Sequence, residues 1–239
     1  GTDTAGSVRM PAAMCGVFGL KTTKGLWPMD GVFPLAPTVD TIGSITRSAN
    51  DASVIFATLS GPIAPRPCPP RGLRLGRPYN HFFDDLHPSV EKCVTSALEK
   101  LQSAGVEIRP IEVPEVTALL DEFTLLSPVE LIATIGRETF LSERGRMDPI
   151  VEHRVAPGVD VPADAYLRLI WRQRELERIV QERMSGLDGW VTPTVSVLAR
   201  PVAEVATIDG GRWDGRVMIR NTKPANLLGL CASSTPIQM

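Results

Sequence analysis

The chain begins Gly-Thr-Asp-Thr-Ala-Gly-Ser-Val-Arg-Met-Pro, and this run constrains the fold and its use more than any other segment. Ser7 sits among Thr2, Thr4, Ala5 and Gly6, with Asp3 and Arg9 close by and Pro11 closing the turn. Small residues let a backbone approach a ligand closely and let successive N–H groups point at one spot. An acyl-transfer site needs both around its nucleophile. For Asp3 and Arg9 two roles compete, substrate contact and a buried pair that holds the loop. Buried charges persist only when paired, which favours the second.

Residues 1–46 are rich in Gly, Pro and Thr and poor in charge, so they read as loops and short strands, not as a long helix. The apolar run AMCGVFGLKTT (13–23) is broken by Gly16 and Gly19, which marks close backbone approach or a bulge. Residues 32–47 read as a buried, proline-punctuated path. Ser48 is placed to cap a helix from about Ala49 to Leu59, with Asp51 in its first turn and Gly61 ending it.

Beyond a linker or surface loop at 62–72, residues 73–78 read as a strand. His87-Pro88 opens a helix to about Ala104, with Val90, Val94, Ala97, Leu98 and Leu101 on one stripe. Gly105 stops it and 106–113 returns as a strand. Strand–helix–strand of these lengths predicts a parallel pair. Residues 115–145 read as one or two helices broken near Pro128, and 147–162 as irregular. Residues 163–184 form the strongest helical pattern, with Arg and Glu on a solvated face. Trp171 and Trp190 are assigned to the core. Residues 189–197 read as a buried strand entering a proline turn, and 233–239 as strand-like. There is no internal repeat and no low-complexity tract.

The length of 239 residues suits one large domain or two small ones. The interspersed charges, net −2, argue against a nucleic-acid groove or a polybasic membrane patch. No apolar run is long enough to span a bilayer and no signal peptide is seen, so a cytoplasmic location is expected. Cys15, Cys68, Cys93 and Cys231 lack CxxC spacing, which speaks against zinc and redox motifs and for reduced thiols, with two disulfides as the alternative.

GTDTAGSVRMPAAMCGVFGLKTTKG, followed by GVFPLAPTVDTIGSITRSANDAS, resembles the amidase signature family. The likeness is dense over residues 1–61 and returns at GWVTPT (189–194) and NLLGLCASSTPI (226–237). It implies an α/β fold with a mixed, mostly parallel sheet flanked by helices. It also implies one amidase domain over 1–239, with the signature core at 1–61 and a variable, specificity-setting helical region at about 115–185. The chemistry implied is a Ser–cis-Ser–Lys triad. Ser7 is then the nucleophile, and the N–H groups of Thr4, Ala5, Gly6 and Ser7 form the oxyanion hole. Asp3 and Arg9 support the site. The second serine and the lysine lie upstream of the Gly-Thr-Asp-Thr motif, so the chain reads as an internal fragment, incomplete at both ends. The substrate is a small-molecule amide. No metal or organic cofactor, no nucleic acid and no membrane partner is implied, and a homo-oligomer is left open.

Two departures from the family pattern stand out. Ala5 replaces a Gly, which needs a negative φ, and Thr22 replaces a Pro in GLKTT, which is expected to loosen a turn. Within the resemblance, an amidase is the first reading. The A-type component of a glutamine-dependent tRNA amidotransferase and an allophanate hydrolase are alternatives, and a scaffold without a proton shuttle is the reading of another class. Lys21 and Lys24 are set aside as bases because the resemblance puts the lysine elsewhere. His81, His87 and His153 sit in no motif, and the second Gly of a Gly-x-Ser-x-Gly elbow is missing. Ser233-Ser234 lacks flanking glycines and is taken as a strand or loop feature.

Overall fold

The computed structural model describes residues 1–61 and 68–237; part of the 62–72 linker and the last two residues of the 233–239 run lie outside this range. The first elements are β1 (Thr2–Asp3), α1 (Arg9–Met14), β2 (Phe18–Lys21), β3 (Thr41–Thr46) and α2 (Ala49–Leu59). Next come β4 (Arg74–Pro78), α3 (Pro88–Ser103) and β5 (Glu107–Ile111). The helical region holds α4 (Glu115–Glu122), α5 (Leu126–Ile135), α6 (Arg137–Glu143), α7 (Pro149–Val155) and α8 (Ala163–Arg183). The chain continues through β6 (Gly189–Trp190), α9 (Val202–Val205), α10 (Ile208–Val217), α11 (Lys223–Leu227) and β7 (Ala232–Ser234).

The fold is α/β. Among the described strands, antiparallel and parallel pairings occupy separate sheets, in the orders β1-β3-β2-β7 and β5-β4-β6. The β4–α3–β5 crossover makes the parallel pair from Arg74↔Glu107 to Pro78↔Ile111, as strand–helix–strand spacing demands. β6 adds only Leu75↔Gly189 and Gly76↔Trp190 before the chain leaves the ladder. The strand expected over 189–197 is therefore cut to two residues. Pro78 ends β4 without a donor, and Pro193 is equally unable to extend the pairing.

The antiparallel sheet builds the ground beneath the opening motif. β2 pairs with β3 from Phe18↔Thr46 to Lys21↔Gly43, and with β7 from Gly19↔Ser234 to Lys21↔Ala232. α1 lies across β2. A Cβ on Gly19 would stand 2.7 Å from the Ala12 Cβ and 3.1 Å from the Val8 carbonyl oxygen, so only glycine admits this approach. α1 itself is a helix that the loop-and-strand reading of 1–46 did not include. Its N-cap Val8 offers no side-chain cap, and Pro11 in its first turn conceals it. The 32–47 path is buried only at Ala36, Val39–Thr41, Gly43 and Ser44; Phe33, Leu35 and Ile45 are exposed.

α2 has the expected limits. Ser48 Oγ accepts the Asp51 N–H at 3.2 Å while Asp51 Oδ2 accepts the Ser48 N–H at 3.1 Å, a reciprocal capping box. Ser48→Ala is expected to lower stability by ~1 kcal/mol, seen as a lower urea midpoint at unchanged slope.

In the helical region the break expected near Pro128 falls a few residues ahead of that proline. That residue sits in the first turn of α5, where its missing N–H would be unpaired anyway; the chain turns at a 3-10 segment, Phe123–Leu125, and at Gly136. Residues 149–155 are helical, not irregular: Asp148 Oδ1 caps α7 by accepting the Ile150 and Val151 N–H groups, with Pro149 at its first position. α8 turns Gln173, Leu176 and Val180 inward; Leu176 and Val180 join a core cluster with Val116, Leu119, Leu126 and Leu227, and Gln173 Nε2 donates to the Leu227 carbonyl at 2.9 Å. Arg168–Asp164, Arg172–Glu175 and Arg178–Glu182 lace its outer face. Trp171 falls on that outer face and is exposed, which corrects its assignment to the core, whereas Trp190 packs against the core. At 100° per residue, position 171 is turned well away from the 173/176/180 stripe.

Candidate active site

Ser7 is exposed in the turn between β1 and α1, and the residues around it are held from below. β1 pairs with β3 at Thr2↔Ile42 and Asp3↔Thr41, which sinks Asp3 out of solvent. Arg9, on the first turn of α1, is buried beside it. The pair is bidentate: Arg9 Nε donates to Asp3 Oδ2 at 3.1 Å and Arg9 Nη2 to Oδ1 at 3.0 Å. Burial by itself would raise the Asp3 carboxyl. The Arg9 charge and hydrogen bonds, with donors from Asn226 and the Val8 N–H, outweigh it and hold the group below its ordinary range. Asp3 therefore stays ionised, and its oxygens accept the Gly6 N–H at 2.8 Å and the Val8 N–H at 3.1 Å. One carboxylate thus shapes the loop on both sides of Ser7.

Two residues more than two hundred positions away complete the anchor. Arg9 Nη1 donates to the Thr222 carbonyl at 2.9 Å and Nη2 to Asn226 Oδ1 at 2.6 Å. Asn226 Nδ2 donates to the Asp3 carbonyl at 2.9 Å and to Asp3 Oδ1 at 2.9 Å. The Thr222 hydroxyl donates to the Ala5 carbonyl at 2.6 Å. The Ala5–Gly6 peptide is thereby pinned at both ends, its carbonyl by Thr222 and its N–H by Asp3. Gly6 adopts φ +129°, and a Cβ there would overlap the Thr222 side chain, whose own Cβ would be 2.6 Å away. Among the described residues only His81 and Asp85 are non-glycine residues with positive φ, so Ala5 is accommodated without strain.

Of the four N–H groups assigned to an oxyanion pocket, that of Gly6 is engaged by Asp3. Those of Thr4, Ala5 and Ser7 have no acceptor among the described residues. The Ser7 hydroxyl likewise makes no hydrogen bond within the described residues. The loop is rigid in its buried groups and open in these few.

Lys21 is fully buried in β2, which lies two strands from β1 with β3 between them. Its Nζ donates to the Leu230 carbonyl at 2.7 Å and to the Thr22 carbonyl at 3.1 Å. Burial, reinforced by the Arg9 charge and only partly offset by Asp3, pulls its pKa down to about 8. The folded value lies below the unfolded one, so protonation favours the unfolded chain and stability rises as pH climbs from about 8 through 10.5. Lys21→Met is expected to remove this rise, on the order of 3 kcal/mol, in urea melts compared across that pH range. The neighbouring Thr22 does not loosen its turn. Its hydroxyl donates to the Ile42 carbonyl at 2.8 Å, a tie across β2 and β3 that proline lacks.

The histidines have other positions. His87 Nδ1 accepts the Ser89 N–H at the start of α3, His81 Nε2 lies 3.3 Å from the Arg220 carbonyl, and His153 is exposed. Ser234 is in β7, its hydroxyl 3.0 Å from that of Thr194. None of the four cysteines is in a disulfide. A cleft of about 840 Å³ runs between α3 and the Leu230–Thr235 segment and reaches Arg9 and Thr222, but Ser7 does not line it. Thr222 and Asn226 were not singled out by sequence reasoning; the one signal was an Asn heading the apolar run NLLGL. No helix among the described residues is long and apolar enough to cross a membrane.

The family model described as Amidase matches residues 1–239. The chain is 37% identical over 246 residues to 2-amino-5-chloromuconic acid deaminase of Comamonas testosteroni, covering 99% of this chain and 52% of that protein. It is 32% identical over 257 residues to an amidase of Pseudomonas putida, covering 99% of this chain and 54% of that one. An amidase crystal structure superposes with a TM-score of 0.86 at 24% identity, over 98% of this chain and 54% of its own, a likeness of fold. The chain spans about half the length of the curated relatives it matches. With its α/β fold and the family match running through every residue, the chain belongs to the amidase family.

Proposed function

We propose that the full-length protein hydrolyses a carboxylic amide through an acyl-enzyme on Ser7. The observation that carries this reading is the contrast within one loop. Every charged group of 3–9 is locked inward, while the Ser7 hydroxyl and the N–H groups of Thr4, Ala5 and Ser7 stay unengaged. Ser7 Oγ attacks the amide carbonyl carbon and gives up its proton. The carbonyl oxygen becomes an oxyanion held by the three N–H groups. The C–N bond then breaks, the amine or ammonia leaves with a proton, and water attacks the Ser7 ester to release the acid. The proton is passed by a second serine and a neutral lysine that the family resemblance assigns to a preceding segment. Lys21 is excluded from that role, because two carbonyls already hold its Nζ.

The test is covalent. A serine-directed fluorophosphonate applied to the full-length protein should add one label, and peptide mapping should put it on Ser7. A label on another serine would overturn the assignment. A second reading, hydrolytic release of ammonia from an amino-substituted unsaturated acid, is favoured by the 37% identity to the chloromuconic acid deaminase. Ammonia release from a 2-aminomuconate in preference to aryl and alkyl amides would select it.

A further inference from the structure

The loop around Ser7 contains four peptide units whose N–H groups were assigned to the oxyanion pocket, and three are fixed through their carbonyls. The Asp3 carbonyl accepts from Asn226 Nδ2 at 2.9 Å and from the Thr41 hydroxyl at 3.1 Å, which aims the Thr4 N–H. The Ala5 carbonyl accepts from Thr222 at 2.6 Å, which aims the Gly6 N–H. The Gly6 carbonyl accepts the Met10 N–H at 2.8 Å, which aims the Ser7 N–H. A trans peptide is planar, so fixing its oxygen fixes the opposite N–H.

The Thr4–Ala5 peptide is different. Its carbonyl has no donor among the described residues, so the Ala5 N–H is not aimed from that side. What holds this unit is the Thr4 side chain, whose hydroxyl donates to Asp40 Oδ1 at 2.6 Å, a charge-assisted distance. Threonine is stiff at χ1, so anchoring its hydroxyl restrains the backbone that carries the next peptide. Asp40 is 5% exposed and serves as a fixed post. Its Oδ2 accepts the Ala36 N–H at 2.8 Å, and its own N–H donates to the Ala36 carbonyl at 2.8 Å. The turn it closes is held from the helical region, where buried Glu130 of α5 accepts the Thr38 N–H at 2.9 Å and the Tyr166 hydroxyl of α8 at 2.8 Å.

We infer that Asp40 is a positioning residue that aims the Ala5 N–H at the oxyanion through the Thr4 hydroxyl. The inference rests on the Ser7 acyl-enzyme reading. Full loss of one oxyanion donor costs ~10²–10³ in turnover. A donor misaimed but still present costs less, so Thr4→Val and Asp40→Asn should each lower kcat by ~10–100-fold and leave KM within about twofold.

The experiment measures kcat and KM on the full-length protein, with kcat expressed per serine titrated by the fluorophosphonate, so that misfolded molecules do not count. Thr4→Ser, which keeps the hydroxyl and drops the methyl, should recover most of the turnover lost in Thr4→Val. The inference is overturned if Thr4→Val and Asp40→Asn keep near-normal kcat per titrated site. It is also overturned if Thr4→Ser falls as far as Thr4→Val, because packing of the methyl would then be the cause. Ser7→Ala runs alongside: retained turnover there would bring down the nucleophile reading itself, and the inference with it, whereas a dead Ser7→Ala with unaffected Thr4→Val condemns the inference alone.

Discussion

Ser7→Ala in the full-length protein is expected to lower kcat by ~10⁴–10⁶-fold, as loss of a serine nucleophile does where the remaining site is left intact. The same substitution should scarcely touch stability. Ser7 is exposed and its hydroxyl holds nothing among the described residues, so a change within about 0.5 kcal/mol is expected. This separation makes the experiment decisive. A residue that only shaped the loop would lose stability and activity together. Substrate binding should persist, because the N–H groups and the buried anchor remain. Turnover within about tenfold of wild type in this variant would remove Ser7 from the chemistry.

The second large effect concerns the anchor. Arg9→Met leaves the Asp3 carboxylate buried without its cation and strips the Thr222 carbonyl and Asn226 Oδ1 of a donor. Breaking a buried pair from one side costs ~3–5 kcal/mol. Replacing both partners, Asp3→Asn with Arg9→Met, should cost less than the sum of the single changes, because no uncompensated charge remains. The acid arm follows from the direction of the Asp3 shift. Its folded pKa lies below the unfolded 3.8, so its stabilisation is complete above about pH 4 and is lost as pH falls through the folded value. Urea midpoints of wild type and Asp3→Asn should therefore converge under acid. Parallel midpoints down to about pH 2 would mean that the pair contributes nothing through its charge.

The two effects are linked by geometry. Asp3 accepts the Gly6 and Val8 N–H groups on either side of Ser7, so releasing Arg9 frees the loop that presents the hydroxyl. Arg9→Met is expected to impair turnover at temperatures where the protein is still folded, and its melting curve should shift as well, a shift that Ser7→Ala never shows.

Much of the local structure was legible in the sequence because its causes are local. The Ser48 and Asp51 pair sets the start of α2 within three residues, and His87-Pro88 and Gly105 bound α3 in the same way. The β4–α3–β5 crossover follows from element lengths alone. The opening motif singled out Ser7 and its small neighbours because few uses suit that composition. The structure departs from the local pattern where a short capping signal starts a helix or where tertiary packing prevails. Asp148-Pro149 is a local start signal for α7, and Pro128 marks the first turn of α5 just after the break at Phe123–Leu125.

The sequence alone determined most of the longer helices and the parallel pair, since periodicity, caps and turn chemistry act over a few residues, and the opening motif with its family resemblance supplied the α/β class and the serine to examine. Only the tertiary structure decided what holds that serine in place. Thr222 and Asn226 reach Arg9 across 213 and 217 residues, and β7 closes on β2 from the far end of the chain. The burial of Lys21, the occupied Gly6 N–H and the post formed by Asp40 likewise depend on which distant segments meet. No local pattern encodes such meetings, because they are chosen by packing of the whole chain.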